Sequence, residues 1–169
     1  MPLVFLIGFM GSGKTTLGKK LAHKLNVPFI DIDEQVVSQH QVASISELIA
    51  ANGIDFFRQA ESEVLKSLVM EAAVVSTGGG TPCYFDNLEW MKGRGEVVFL
   101  KVDEGVIFSR LKTTNLAERP LLKDLDEEGL KSFIHEKLEE RLPYYNQAHI
   151  IFEPVKEKIE ELVLKIQAS

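Results

Sequence analysis

The chain has 169 residues, a net charge of −6 and a pI of about 5.3. Its length fits one domain with a substantial core. Its 45% hydrophobic and 26% charged content is ordinary globular composition, which excludes a disordered or fibrous chain. An acidic chain with no local basic stripe is set aside as a nucleic-acid binder, and a single cysteine, Cys83, excludes an internal disulfide and fits a reducing cytoplasm.

Residues 3–8 are predicted to form a fully buried strand. No basic segment precedes them and the run is too short to span a bilayer, so they are read neither as a signal peptide nor as a membrane segment. No other run is long enough, and no internal repeat or low-complexity segment is present. Gly8-Phe9-Met10-Gly11-Ser12-Gly13-Lys14-Thr15 follows directly and satisfies G-x-x-x-x-G-K-[ST]. A helix over 14–25, with Leu17, Leu21 and Leu25 on one side, supplies the context that this phosphate loop requires. Glycines let successive backbone N–H groups point into one concavity, and the helix N-terminus adds partial positive charge. Gly11, Ser12, Gly13, Lys14, Thr15 and Thr16 are the candidate ATP-binding residues. Lys14 reaches the β and γ phosphates, and Thr15 offers a hydroxyl to Mg²⁺. The loop gives a nucleoside triphosphate site but does not separate a kinase from an ATPase or a GTPase.

A short strand over 28–32 ends in Asp31-Ile32-Asp33. Ligands of open α/β sheets bind outside the carboxyl ends of the strands. While the strand lasts, both aspartates share side-chain parity and face that site. One carboxylate can hold a metal's water shell and the other can take the proton of an attacking hydroxyl. The other reading is that Asp33 caps the helix over 33–40. A short helix around Ser46, Ile49 and Ala50 stops before Asn52-Gly53, and a long helix is expected over 56–71. Phe57, Val64, Leu65 and Leu68 form its apolar stripe. Glu61 falls inside that stripe and Arg58 lies at its margin. A carboxylate in an apolar face needs a partner. Arg58 and Glu61 are either a structural ion pair or a guanidinium held so that its free edge meets an anion. The composition favours attention to arginine: fourteen lysines stand against five arginines, at 58, 94, 110, 119 and 141.

A buried strand over 73–76 runs into Gly78-Gly79-Gly80, a second stretch of bare backbone after a strand, where something approaches closely. A helix spans Leu88 and Met91, and a strand spans 97–102. Asp103 is expected to cap a helix running to about Leu111. Residues 112–125 read as a mobile lid containing Glu118-Arg119-Pro120-Leu121-Leu122; a solvent loop with a Leu-Leu anchor fits equally. Asp126 opens a helix to Arg141, which Pro143 ends. There, Arg141 either serves a ligand or complements the helix dipole, and Arg110 has the same two readings. A strand over 149–152 and a helix over 155–167, entered through Pro154, complete the chain. His23, His40 and His135 read as surface residues and His149 as partly buried, without metal spacing. Cys83 reads as a small packed side chain near a loop; a reactive thiol is the other reading. Five short apolar strands alternating with helices imply a parallel sheet covered on both faces.

Taken together, the phosphate loop, Asp31-Ile32-Asp33, Phe57-Arg58 with Glu61, Gly78-Gly79-Gly80, Arg119-Pro120-Leu121-Leu122 and Arg141 resemble shikimate kinase, in order and spacing, over nearly the whole chain. The resemblance implies a three-layer α/β/α P-loop kinase fold with a five-stranded parallel sheet in the order 2-3-1-4-5. It implies one kinase domain over 1–169, with a substrate-binding segment over about 32–61 and a lid over about 112–125. It implies transfer of the ATP γ-phosphate to the 3-hydroxyl of shikimate, with Mg²⁺, in a cytoplasmic monomer. By the same resemblance, Asp33 binds and activates the substrate hydroxyl, and Asp31 stands near the magnesium through water, with Thr15 binding it directly. Arg58 and Arg141 hold the shikimate carboxylate, Gly78 to Gly80 rest against the ring hydroxyls, Arg119 reaches the phosphates and Arg110 stacks on adenine. A side chain at 78 to 80 would then occupy the room the ring needs. The sequence departs from the family pattern near Glu153-Pro154, where no arginine is available for the base. A gluconate or nucleoside monophosphate kinase shares the phosphate loop but leaves the triple glycine, Arg58 and Arg141 unexplained. A GTP-dependent switch would carry Asn-Lys-x-Asp, which neither Asn26 nor Asn115 begins.

Overall fold

The computed structural model describes residues 3–116, 119 and 121–169. Its centre is a parallel sheet of β1 (Leu3–Ile7), β2 (Phe29–Asp31), β3 (Val74–Ser76), β4 (Gly95–Leu100) and β5 (Ile150–Phe152), in the order β2-β3-β1-β4-β5. Every strand pair is parallel, with Phe5 opposite Val75 on one side and Val97 on the other. This is the expected sheet and order.

Strand alternation divides the core into two layers. Leu3, Phe5 and Ile7 face one side with Val75, Val97 and Phe99. Val4 and Leu6 face the other with Val74, Val98 and Leu100. The second layer is closed by α1 (Lys14–Leu25) and α8 (Ile159–Ala168), through Leu21, Ala22, Leu162 and Ile166. The first is closed by α2 (Ile32–His40), α3 (Ile45–Asn52), α4 (Ile54–Lys66), α5 (Asn87–Arg94), α6 (Glu104–Leu111) and α7 (Glu127–Tyr145). A β1 buried on both faces explains its unbroken apolar sequence.

Several boundaries differ from expectation, each for a local reason. The long helix stops at Lys66 rather than 71, because Ser67 folds its hydroxyl onto the Val64 carbonyl and its N–H onto Glu63 and Val64. Asp103 precedes α6, but its side chain does not cap it; its carbonyl accepts from Val106 and Ile107 instead. Pro143 lies inside α7 and does not end it. The helix continues to Tyr145, whose buried ring stacks on Phe99 at 5.0 Å. The last helix starts at Ile159, not 155. Pro154 instead enters a turn in which Lys156 and Glu157 donate to the Glu153 carbonyl, and Lys158 N–H donates to Glu161 at α8's first turn. Among the described residues no helix is long and apolar enough to cross a membrane.

The loops after β1, β2 and β3 meet at one end of the sheet, bringing Gly8–Thr15, Asp31–Asp33 and Gly78–Gly80 together.

Candidate active site

Two cavities lie side by side at this end. The first, about 270 Å³, is lined by Gly11, Gly13, Lys14, Thr15 and Thr16 of the phosphate loop with Asp31, Asp33, Gly78, Gly79 and Arg119. Gly11 and Gly13 have φ of 78° and 91°, a left-handed backbone that side-chain-bearing residues avoid, so the loop needs glycine at both points. The Lys14 ammonium donates to the carbonyls of Gly8 at 2.7 Å and Phe9 at 3.0 Å. Burial lowers its pKa to about 8, against the pull of the Asp33 carboxylate.

The Thr15 hydroxyl donates to Asp31 Oδ2 at 3.0 Å, while Asp31 Oδ1 accepts the backbone N–H groups of Asp33 at 3.0 Å and Glu34 at 3.3 Å. Asp31, not Asp33, is therefore the cap of α2. The strand ends at Asp31, so the two carboxylates do not converge by strand parity as expected; the first turn of α2 brings Asp33 round. Among the described residues no group of three or more His, Cys, Asp or Glu side chains is placed to hold a metal ion. A hydroxyl beside a single carboxylate fits a hard cation that keeps most of its ligands as water and phosphate.

The second cavity, about 260 Å³, is walled by Arg58, Glu61, Arg141 and Gly78–Gly80, with Met10, Ile45, Ser46, Ile49, Ile54, Phe57, Leu121 and Leu122. Arg58 Nη1 donates to Glu61 Oε1 at 3.1 Å. The guanidinium lies over the rings of Tyr84 at 4.4 Å and Phe57 at 5.1 Å. Arg141 lies over Phe9 at 5.4 Å. Both arginines are more than nine-tenths buried, and Arg58 Nε and Arg141 Nη1 have no hydrogen-bond partner. Two buried cations with bare donors in one wall are an anion site in waiting.

Asp33, Met10, Gly78, Gly79 and Arg119 line both cavities. The Asp33 Oδ1 oxygen is buried there without a partner. Burial raises the Asp33 pKa to about 6, with Glu61 and Asp31 adding to the rise and Lys14 and Arg58 opposing it. A carboxylate of that basicity, between an anion site and a phosphate loop, is suited to take a proton at neutral pH.

The family model described as Shikimate kinase matches residues 10–169. The chain belongs to the shikimate kinase family. The shikimate kinase of Bacteroides thetaiotaomicron is 44% identical over 153 residues, covering 90% of this chain and 86% of that one. That of Phocaeicola vulgatus is 43% identical over 172 residues, covering 100% and 94%. The crystal structure of the B. thetaiotaomicron shikimate kinase superposes with a TM-score of 0.88 at 41% identity, covering 99% of this chain and 97% of that one. The Acinetobacter baumannii enzyme in complex with shikimate gives 0.86 at 32%, covering 99% and 91%. A deoxyadenosine kinase from M. mycoides, 16% identical with a TM-score of 0.60, shares the fold. The activity that goes with this family is ATP-dependent phosphorylation of shikimate, a phosphotransferase reaction.

The site residues expected of a shikimate kinase lie at these two cavities, except Ser12 and Arg110, which line a neighbouring hollow beside the phosphate loop. Arg110 Nη1 donates to the Gly11 carbonyl at 2.9 Å and lines that hollow with Lys20 and Pro154. Arg119 is half-buried and its carbonyl accepts from Leu122, which is fully buried while Leu121 stays half exposed. Glu118 and Pro120 of that motif lie outside the described residues. The glycine run has a tighter cause than the ring of a substrate. A Cβ at Gly80 would stand 2.6 Å from the Arg58 guanidinium, and one at Gly78 would stand 2.5 Å from Glu61 Oε2. The bare backbone makes room first for the arginine and glutamate.

Sequence reasoning singles out neither Tyr145 nor Thr81, Tyr84 and Asn87. The Tyr145 hydroxyl donates to the Gly79 carbonyl at 2.5 Å. Its spacing, one helical turn beyond Arg141, was the available signal. One histidine departs from expectation: His40 is half-buried against Phe56 at 5.5 Å rather than on the surface, whereas the His149 side chain, 35% exposed, is partly buried as expected. Burial pushes the Cys83 thiol up to about 11, so it is a packed, unreactive side chain at neutral pH.

Proposed function

We propose that this chain transfers the γ-phosphate of ATP to the 3-hydroxyl of shikimate, giving shikimate 3-phosphate on the route to chorismate and the aromatic amino acids, with Asp33 as the group that receives the hydroxyl proton. The observation that carries the assignment of roles is the junction: a cavity walled by two arginines with bare donors opens, at the bare oxygen of Asp33, onto the phosphate-loop cavity.

In this reading the segment over about 32–61 and the glycine run form the acceptor side. Arg58 and Arg141 take the shikimate carboxylate, and the backbone of Gly78, Gly79 and Gly80 meets the ring hydroxyls. Gly11, Ser12, Gly13, Lys14, Thr15 and Thr16 cradle the ATP phosphates, and Arg110 flanks the base. The fit of Thr15 and Asp31 to a hard cation supports Mg²⁺, held directly by Thr15 and through water by Asp31, which would neutralise phosphate charge. Ionised Asp33 accepts the proton of the 3-hydroxyl as that oxygen bonds to the γ-phosphorus. The bond from phosphorus to the β,γ-bridging oxygen breaks and ADP leaves. Lys14 stabilises the charge that builds on the phosphates, joined by Arg119 from a lid over about 112–125. Leu121 and Leu122 beside that arginine help exclude water, a competing acceptor. All these groups come from one chain, which supports action as a monomer, and the single, half-buried thiol supports residence in a reducing cytoplasm.

ADP release with Mg·ATP, offering shikimate, gluconate and nucleoside monophosphates separately, tests the assignment. Turnover with shikimate alone is expected. Turnover with another acceptor would overturn the reading of the two arginines, and no turnover with any would overturn the kinase reading.

A further inference from the structure

We propose that Thr81 is a positioning residue for the acceptor: its hydroxyl fixes the far oxygen of Glu61, and Glu61 thereby holds the Arg58 guanidinium in the cavity wall. The inference rests on the shikimate reading above and adds a residue that lies outside the cavity lining.

Glu61 is fully buried and uses its two oxygens differently. Oε1 accepts from Arg58 Nη1 at 3.1 Å, and Oε2 accepts from the Thr81 hydroxyl at 2.7 Å. Thr81 is itself fully buried and rigidly held. Its N–H donates to the Gly78 carbonyl at 3.2 Å, and its carbonyl accepts from Asn87 Nδ2 at 2.9 Å. Asn87 Oδ1 in turn accepts from the Ser62 hydroxyl at 2.6 Å, one residue along α4 from Glu61. The bonds close a ring from α4 through α5 and the turn after the glycines back to α4. Every member of such a ring is satisfied only while the others stay in place.

The glycine run agrees independently. A Cβ at Gly78 would stand 2.5 Å from Glu61 Oε2 and 3.1 Å from Thr81 Oγ1, directly against this bond. Glycine at 78 therefore leaves room for the contact between Thr81 and Glu61. With Nη1 committed to Glu61 and the guanidinium face against Tyr84, Arg58 keeps Nε without a partner. Orientation of that fork is what a carboxylate ligand reads.

Loss of the hydroxyl leaves a buried carboxylate with one donor. Burial already pushes the Glu61 carboxyl above its ordinary value, opposed by Arg58, the Thr81 hydroxyl and Arg141. The charged and titratable groups facing it are Arg58 on α4, Arg141 on α7, Asp33 on α2 and Cys83 after the glycines. The arginines stay charged, and Asp33 changes charge near 6. The readout is therefore equilibrium binding of shikimate and of ATP, not turnover. A Glu61 without Thr81 takes up a proton more readily and releases Arg58 as pH falls.

The experiment is calorimetric titration of Thr81→Val and Thr81→Ser with shikimate and with Mg·ATP at about pH 8 and about pH 6. Wild type that fails to bind shikimate sinks the function reading, whatever the variants do. With wild type binding, Thr81→Val should weaken shikimate about tenfold at the higher pH, the size of one lost hydrogen bond to a charged group. The loss should widen by about threefold or more at the lower pH, with ATP affinity within about twofold and Thr81→Ser within about threefold of wild type. Native shikimate affinity in Thr81→Val at both pH values, whatever its melting temperature, refutes the role, and so does equal weakening of shikimate and ATP. Should Thr81→Val not fold, Thr81→Ala read against Thr81→Ser makes the same comparison, and equal shikimate affinity in those two refutes it.

Discussion

Asp33 combines the chemistry and the instability of the site in one carboxyl. Its pKa, raised to about 6 chiefly by burial, means that its ionised form is disfavoured by folding. The cost is fully present above about pH 6 and absent below the ordinary value of 3.8, because there both folded and unfolded chains carry the protonated acid. Asp33→Asn removes the charge, so it should stabilise the protein at neutral pH by about 2 to 3 kcal/mol. Melting temperatures of wild type and variant should diverge near neutrality and converge at about pH 4. The same shift sets activity: kcat/KM for shikimate should fall about tenfold per pH unit below about pH 6. A plateau extending a full unit lower would remove Asp33 as the titrating group. Arg58 permits a separate test at this scale. Arg58→Lys keeps the charge but loses the fork, so KM for shikimate should rise about ten- to hundredfold with KM for ATP nearly unchanged. Much of this was legible in the sequence, since Glu61 in an apolar stripe demands a partner and Arg58 stands one turn away. The capping role of Asp31 was not, because two aspartates spaced by one residue read equally well as strand neighbours.

At the scale of elements, the glycine run and α7 act as one support. Tyr145 hydrogen-bonds Gly79 and lies one turn beyond Arg141, so the end of α7 fixes both an arginine and the loop it faces. Pro143 hid this, since a proline reads as a stop; the buried Tyr145 ring against Phe99 carries the helix past it. The five strands were legible because each is a short apolar run at a loop boundary. The start of the last helix was not, because Glu153 to Lys158 settle into a turn whose bonds are made by Glu153 and Glu157 side and main chains. Gly80→Ala places a methyl 2.6 Å from the Arg58 guanidinium and should weaken shikimate binding about tenfold or more. Gly53 is the matched control: its φ of 88° makes alanine strained, but nothing lies within 4 Å of its Cβ position. Gly53→Ala should lower the melting temperature and leave shikimate affinity unchanged. Equal affinities in the two variants would contradict the steric account of the glycine run.

At the scale of the molecule, a parallel sheet gathers three loops at one end, and the sequence order of strands decides which loops meet. The loops after β1, β2 and β3 belong to adjacent strands in the sheet, so phosphate loop, carboxylates and glycines share one site. Binding at either cavity should therefore stabilise the whole fold. Shikimate at about 100 times its Kd should raise stability by about 2.7 kcal/mol, and Arg141→Met should abolish most of that gain. The central claim is that Asp33 joins an acceptor site to a phosphoryl donor site. It is tested most directly by the kcat of Asp33→Asn with Mg·ATP and shikimate both saturating, alongside calorimetric Kd values for each. The account predicts that kcat falls by about two to three orders of magnitude, with both Kd values within a few fold of wild type. A near-native kcat, or a loss explained entirely by weaker shikimate binding, would contradict it.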